Sequence, residues 1–351
     1  MTHVSVSING RVIGSGHPAY VIAEMSANHG GDYDRAVRIV HAMKDAGADA
    51  VKLQTYTRDT MTIDADRPEF RIGRGTMWEG KTLYQLYGEA FTPWEWQPKL
   101  KKVANDLGMD LFSTPFDASS VDFLETMDVP AYKIASFELT DVPLIRRVAA
   151  TGKPVILSTG MGNEEEIREA VDAIRREGND RLILLKCTSA YPARSEDMNL
   201  RTIADMRERF GVPAGLSDHT LDVTIPVAAV ALGACVVEKH FCLSRGEPGP
   251  DTAFSLEPGE FRAMVDAIRV AEKALGTVSY RRSAQEEASI VFRRSLFAVR
   301  DIAAGEELTD ANVRSIRPGH GLPPKELPNV LGKKAAKAIK RGTPLSWEMV
   351  H

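Results

Sequence analysis

Hydrophobic and polar positions change their period along this 351-residue chain, and the changes outline its architecture. Residues 4–13 alternate apolar and polar around Asn9-Gly10, which predicts a two-stranded hairpin with a tight turn. From residue 20 a second rhythm begins. Eight short runs rich in Val, Ile and Leu, at 20–24, 50–54, 110–114, 131–136, 155–158, 182–188, 214–217 and 235–240, alternate with segments of helical period. Near-continuous apolar strands separated by helices imply a parallel sheet covered by helices. Eight such units favour a closed (β/α)8 TIM barrel over an open doubly wound sheet. No GxGxxG follows the first strand, which weakens a dinucleotide fold. Among the helices, residues 33–46 carry an apolar stripe at Ala36, Val37, Ile39, Val40 and Met43 and stop at Gly47. Residues 164–177 behave alike and stop near Gly178. The connection after the second strand is oversized (58–91) and holds Trp78, Tyr84 and Tyr87, either a pocket-shaping insertion or a solvated loop.

Near residue 280 the rhythm breaks. The expected division is a barrel over 1–280, a polar linker over 281–291 and a small, Gly- and Pro-rich domain over 292–351. That last segment holds 11 Lys and Arg against 6 Asp and Glu, in a chain of net charge −4. A basic small domain beside an acidic large one can dock, or can supply cations to an anionic ligand; solvated lysines are the plainer account. The overall charge points to neither nucleic acid nor an anionic membrane. No apolar run approaches the ~20 residues that span a bilayer. The first residues lack the plan of a signal peptide. Cys187, Cys235 and Cys242 have no CxxC spacing, so a cytoplasmic protein with reduced thiols is expected.

The functional signal is a pattern of polar strand ends, where barrel enzymes keep their active sites. In chain order the ends carry Glu24; Lys52 and Gln54; Ser113-Thr114; Lys133 with Ser136 and Glu138; Ser158-Thr159-Gly160; Lys186 and Thr188, then Ser189 and Tyr191; Ser217-Asp218-His219; and Glu238-Lys239-His240. One or two would pass as satisfied core groups, but eight in a row make a costly core without a ligand. His219 and His240 end neighbouring strands, so both imidazoles can reach one point, as a divalent transition metal requires. Lys52 and Lys133 with the hydroxyls of Thr114, Ser136, Ser158 and Ser217 suit a phosphate or carboxylate. Glu24, Glu138 and Asp251 are candidate acids, bases or hydroxyl ligands. Ser217-Asp218-His219 is not a hydrolase triad, because alternation turns Asp218 away from its neighbours.

These segments resemble the sialic acid synthase family, the enzymes that condense phosphoenolpyruvate with an amino sugar. The likeness rests on Val21-Ile22-Ala23-Glu24, Asn28-His29-Gly30, Ala48-Asp49-Ala50-Val51-Lys52-Leu53-Gln54, Phe112-Ser113-Thr114-Pro115-Phe116 and Tyr132-Lys133-Ile134-Ala135-Ser136. It continues through Leu157-Ser158-Thr159-Gly160-Met161, Gly215-Leu216-Ser217-Asp218-His219, Val237-Glu238-Lys239-His240-Phe241 and Gly249-Pro250-Asp251. Residues 292–351, with Arg293-Arg294-Ser295 and Ser315-Ile316-Arg317-Pro318-Gly319, are similar to the family's antifreeze-like (SAF) domain. The resemblance implies a usually domain-swapped homodimer and a divalent metal, manganese or magnesium, on His219 and His240. It implies phosphoenolpyruvate contacts from Lys52, Thr114, Lys133, Ser136, Ser158, Ser189 and Ser217. Sugar contacts fall to Glu24, Gln54, Tyr191 and Asp251, proton transfer to Glu138, and Arg317 reaches in from a second subunit. Ser189 departs from the family's frequent Asn, which puts its contact in question. Glu24-Met25-Ser26-Ala27-Asn28-His29, Leu83-Tyr84-Gln85-Leu86-Tyr87, Thr92-Pro93-Trp94-Glu95-Trp96, Ala135-Ser136-Phe137-Glu138 and Asp251-Thr252-Ala253-Phe254-Ser255 resemble the pseudaminic acid branch. The implied acceptor is then a 2,4-diacetamido-2,4,6-trideoxyhexose.

Three alternatives stand beside this reading: a synthase for N-acetylneuraminic or legionaminic acid, a metal-free aldolase or lyase with Lys186 as Schiff base, and a non-enzymatic carbohydrate- or ice-binding protein built on the basic C-terminal domain.

Overall fold

The computed structural model describes residues 4–73 and 78–351 and divides into two compact units, Met1–Gly276 and Thr277–His351. In the first, β1 (Ser5–Ile8) and β2 (Arg11–Gly14) form the antiparallel hairpin. Asn9 and Gly10 both take positive φ, as a two-residue hairpin turn demands. The hairpin caps the N-terminal ends of the next strands. Asn9 donates to Asp110, Arg11 pairs with Asp49, and the Tyr20 hydroxyl donates to Asp110.

Eight parallel strands then close a barrel in the order β10-β3-β4-β5-β6-β7-β8-β9. They are β3 (Tyr20–Glu24), β4 (Ala50–Thr55), β5 (Asp110–Pro115), β6 (Tyr132–Ile134), β7 (Val155–Ser158), β8 (Leu182–Cys187), β9 (Ala214–Asp218) and β10 (Val236–His240). Their runs are continuously apolar because one face meets the barrel interior and the other the helices; every residue of β3, β6 and β7 is buried. β6 is shorter than its apolar run. After Ile134 the chain turns into a 3-10 segment, Ser136–Glu138, and Ser136 leaves the sheet to accept from the Gly160 amide.

The helices follow their stripes. Tyr33–Asp45 is capped by Asp32, buries Ala36, Ile39, Val40 and Met43, and ends before Gly47 at φ +90. Glu164–Arg176 opens with an Asn163/Glu166 capping box and places Arg175 and Arg176 in its last turn, where cations suit the helix dipole. Between β4 and β5 the insertion forms the helices Arg58–Met61 and Leu83–Ala90; residues 74–77 of it lie outside the described residues.

The second unit pairs β11 (Ser295–Ala298) with β12 (Val313–Ile316) over its own core of Leu296, Ile302, Leu308, Val313, Val330, Ile339 and Leu345. Within the polar 281–291 segment lies a six-residue helix, Ala284–Ser289, with a Ser283/Glu286 capping box. Among the described residues no helix is long and apolar enough to cross a membrane.

Candidate active site

The C-terminal ends of the barrel strands surround one cavity of about 380 Å³. Alternation decides which side chains reach it. On β10, Glu238 and His240 face inward while Lys239 turns out to a buried pair with Asp218 of β9. Ser217 and His219 are the inward partners of Asp218. β4 contributes Lys52 and Gln54, β6 Lys133, and β7 Ser158. On β8 the inward residues are Cys187 and, just beyond, Ser189. Lys186 therefore points away. It does not line the cavity, and its ammonium donates to the Cys187 carbonyl at 2.9 Å, so a Schiff base on Lys186 has no access to the site. Cys187 is correspondingly a cavity residue.

The floor is a buried chain of alternating charge. Lys52 Nζ lies 2.6 Å from Glu24 Oε2 and 2.9 Å from Glu238 Oε1. Glu238 Oε1 is 3.7 Å from Lys133 Nζ and accepts from Ser217 Oγ at 3.2 Å. Lys133 donates to Ser158 Oγ at 2.7 Å and to the Ile134 carbonyl at 3.0 Å. Burial pulls the Lys52 ammonium down to a pKa of about 8, against the opposing pull of Glu238. Burial pushes the Glu238 carboxyl up, but Lys133 and Lys52 outweigh it and hold it below the usual range. Each buried ion carries a desolvation cost of several kcal/mol, so two lysines and two carboxylates here mark a site kept for a ligand rather than for stability.

Beside Lys133 is a cradle of hydroxyls. A Cβ on Gly160 would lie 2.2 Å from Ser189 Oγ and 2.7 Å from Ser136 Oγ, so only glycine leaves room for both hydroxyls, and Ser136 Oγ accepts from its amide at 3.0 Å. Thr114 is buried on β5 with its hydroxyl unpartnered among the described residues, and it does not line the cavity. Glu24 also stands one layer behind the lining, joined to it through Lys52 and the Ser26 amide. Arg317 is exposed in the second unit, directly after β12.

The imidazole centroids of His219 and His240 are 5.3 Å apart. His219 Nδ1 is 3.0 Å from the Thr188 carbonyl, which fixes it as a donor and leaves Nε2 bare. Burial pushes the His219 pKa down, but Cys187, the Thr188 carbonyl and Asp218 outweigh it and raise it. Burial, then the charges of His219, Lys52, Lys239 and Lys133, hold His240 neutral, and its buried Nδ1 has no partner among the described residues. Two adjacent imidazoles, one with an orphaned nitrogen, fit a divalent metal. No cluster of three His, Cys, Asp or Glu gathers among the described residues.

Two aromatic walls rise from this floor. Tyr191 stands against His219 (4.4 Å between centroids) and Phe254 (5.0 Å), with Trp78 beyond. In the second, Tyr56 meets Phe116 and Tyr87 edge-on, and Met61, Leu86 and Ala90 also line the cavity. Glu138 lies between floor and wall; burial pushes its carboxyl up to about 7, and its Oε2 is buried without a partner among the described residues. Asp251 is raised by burial and accepts from Ser26 Oγ and the Ala27 amide. Glu238, Gly160, Ser26 and Cys187 were assigned no role from sequence. The i, i+2 spacing of Glu238 and His240 was the available signal for the first.

Fold and site together define a barrel enzyme whose chemistry sits on its strand ends. Residues 39–280 match the NeuB family and residues 293–351 the SAF domain, and the chain belongs to the NeuB family. It is 46% identical over 326 residues to a pseudaminic acid synthase of Campylobacter jejuni, covering 93% of this chain and 95% of that one. Identity to a pseudaminic acid synthase of Helicobacter pylori is 44% over 335 residues, covering 95% and 98%. The crystal structure of an N-acetylneuraminic acid synthetase from Leptospira borgpetersenii superposes with a TM-score of 0.73 at 30% identity, over 83% of this chain and 97% of that one.

Proposed function

We propose that the acceptor in the phosphoenolpyruvate-dependent condensation of this family is, for this chain, a 2,4-diacetamido-2,4,6-trideoxyhexose, giving pseudaminic acid and inorganic phosphate. The observation that carries the reading is a cavity with a charged floor under apolar walls. The floor suits the carboxylate and phosphate of phosphoenolpyruvate; the Tyr56, Leu86, Phe116 and Phe254 surfaces suit acetamido methyls and a deoxygenated carbon 6. The Campylobacter and Helicobacter relatives support the same acceptor.

Lys52 and Lys133 offset the anionic groups of phosphoenolpyruvate, and Ser136, Ser158 and Ser189 direct hydroxyl hydrogen bonds at them, with Ser217 beside them and the Gly160 amide holding Ser136 in place. Thr114, one layer out, supports the same end. His219 and His240 would hold a manganese or magnesium ion, which when bound would supply Lewis-acid polarisation of the open-chain aldehyde. Carbon 3 of phosphoenolpyruvate forms the new bond to sugar carbon 1, leaving cationic character at carbon 2. Water adds there, and Glu138 Oε2 takes its proton, a task for which a carboxyl near pH 7 is well matched. The tetrahedral adduct then loses phosphate by C–O cleavage. Glu24, Gln54, Tyr191 and Asp251 orient the sugar. The working assembly is a domain-swapped homodimer in which Arg317 of the partner subunit completes the site, and the three free cysteines suit the cytoplasm.

The test is phosphate release from phosphoenolpyruvate, with manganese, against the diacetamido-trideoxy sugar, its legionaminic-type isomer and N-acetylmannosamine. Preference for the first by tenfold or more in kcat/KM is expected. Equal or better use of N-acetylmannosamine refutes the acceptor, and solvent oxygen in the released phosphate refutes C–O cleavage.

A further inference from the structure

Ser26 is buried, lines the cavity, and holds φ at +48, a left-handed value unusual outside glycine. It occupies the second position of a turn closed by the Asn28 amide on the Met25 carbonyl at 3.1 Å, where positive φ ordinarily selects glycine. Strain of this kind persists where surrounding structure over-determines it, and it concentrates at functional sites. Here the determinants are visible. The Ser26 amide donates to Glu24 Oε1 at 2.9 Å, and its hydroxyl donates to Asp251 Oδ2, which also accepts from the Ala27 amide at 3.2 Å. Glu24 ends β3 and Asp251 lies in the loop beyond β10, 227 positions away. One strained residue therefore ties together carboxylates from distant segments.

We infer that Ser26 is a positioning residue that locks Glu24 and Asp251 into a single acceptor-orienting pair, and that its left-handed backbone is retained for this purpose. Glycine would supply the same backbone without strain but not the hydroxyl. This rests on the sugar-orienting roles proposed above, with Asp251 at the cavity and Glu24 one layer behind it, reaching it through Ser26 and Lys52. The inference goes further in assigning their relative placement to a side chain that need not touch substrate.

Ser26→Gly and Ser26→Ala in the full-length protein separate the two contributions. Both lose the hydroxyl; only the first relieves the backbone. With whichever panel sugar the wild type uses best, kcat/KM for sugar should fall about 10- to 100-fold in both, the scale of one hydrogen bond to a charged group. KM for phosphoenolpyruvate should stay within about twofold, and the melting temperature of Ser26→Gly should equal or exceed the wild type's. Wild-type sugar kinetics in Ser26→Gly, or equal loss towards both substrates together with a lowered melting temperature, overturns the inference. Crystal structures of both variants give a readout independent of turnover. An Asp251 carboxylate displaced from the Ala27 amide is expected, and one unmoved overturns the inference. A wild type that prefers another sugar refutes the acceptor assignment alone.

Discussion

Replacing Gly160 by alanine adds one methyl group at the narrowest point of the hydroxyl cradle. The new Cβ would stand 2.2 Å from Ser189 Oγ, 2.7 Å from Ser136 Oγ and 3.1 Å from Ser136 Cβ. Gly160 is not at positive φ, so the backbone tolerates alanine and the effect is steric. Both hydroxyls must retreat by about 1 Å to reach van der Waals distance. Each hydrogen bond to an anion contributes about 1.5–3 kcal/mol. With water recovering part of two such bonds, a net loss of about 2–4 kcal/mol follows, or about 30- to 1000-fold in kcat/KM for phosphoenolpyruvate. Overpacking should cost only about 1–3 kcal/mol of stability, a modest fall in melting temperature. The assay is initial-rate phosphate release at varied phosphoenolpyruvate and saturating sugar, with calorimetric binding of phosphoenolpyruvate alone. A folded Gly160→Ala enzyme whose KM and Kd for phosphoenolpyruvate stay within about threefold of wild type would show that no anion sits between Ser136 and Ser189.

Three further expectations follow from the same geometry. Lys52, depressed to about 8, is cationic below that pH and neutral above it, so kcat/KM for phosphoenolpyruvate should fall above about pH 8; Glu138, raised to about 7, is a carboxylate only above that pH, so the same parameter should rise through about 7. A pH-rate profile that keeps its basic limb in Lys52→Arg refutes the first assignment. His240→Ala should weaken manganese binding, read by electron paramagnetic resonance, by more than the ~10–100-fold typical of losing an outer-shell partner, and unchanged affinity removes His240 from the metal site. Arg317→Ala and Lys133→Ala should each be nearly inactive, yet mixed subunits should regain about a quarter of wild-type activity, since half the dimers are mixed and each holds one complete site; no recovery means Arg317 does not act across subunits.

Much of the architecture was legible in the chain because parallel strands buried on both faces leave unbroken apolar runs, and Asn9-Gly10 announces its hairpin. The phase of each strand was harder to read. Spacing shows that residues 186 and 188 share a side, but not that this side faces out and Cys187 in. The same ambiguity hid Glu238, flanked by the equally polar Lys239, whose charge is spent on Asp218. β6 ends early because Ser136 finds its partner in Gly160, a tertiary contact that no local pattern encodes. Ser26 escaped notice because its importance lies in a backbone angle and a partner more than two hundred positions away.

The alternating row of Glu24, Lys52, Glu238 and Lys133 has a consequence for selectivity. Two cations already matched by two anions exert little net pull on a passing ion. Sulfate or bicarbonate meets no strong attraction, and affinity must come from fitting the cradle atom by atom. A catalyst arranged this way should resist inhibition by common inorganic anions and, by the same token, release its spent phosphate readily after every turnover.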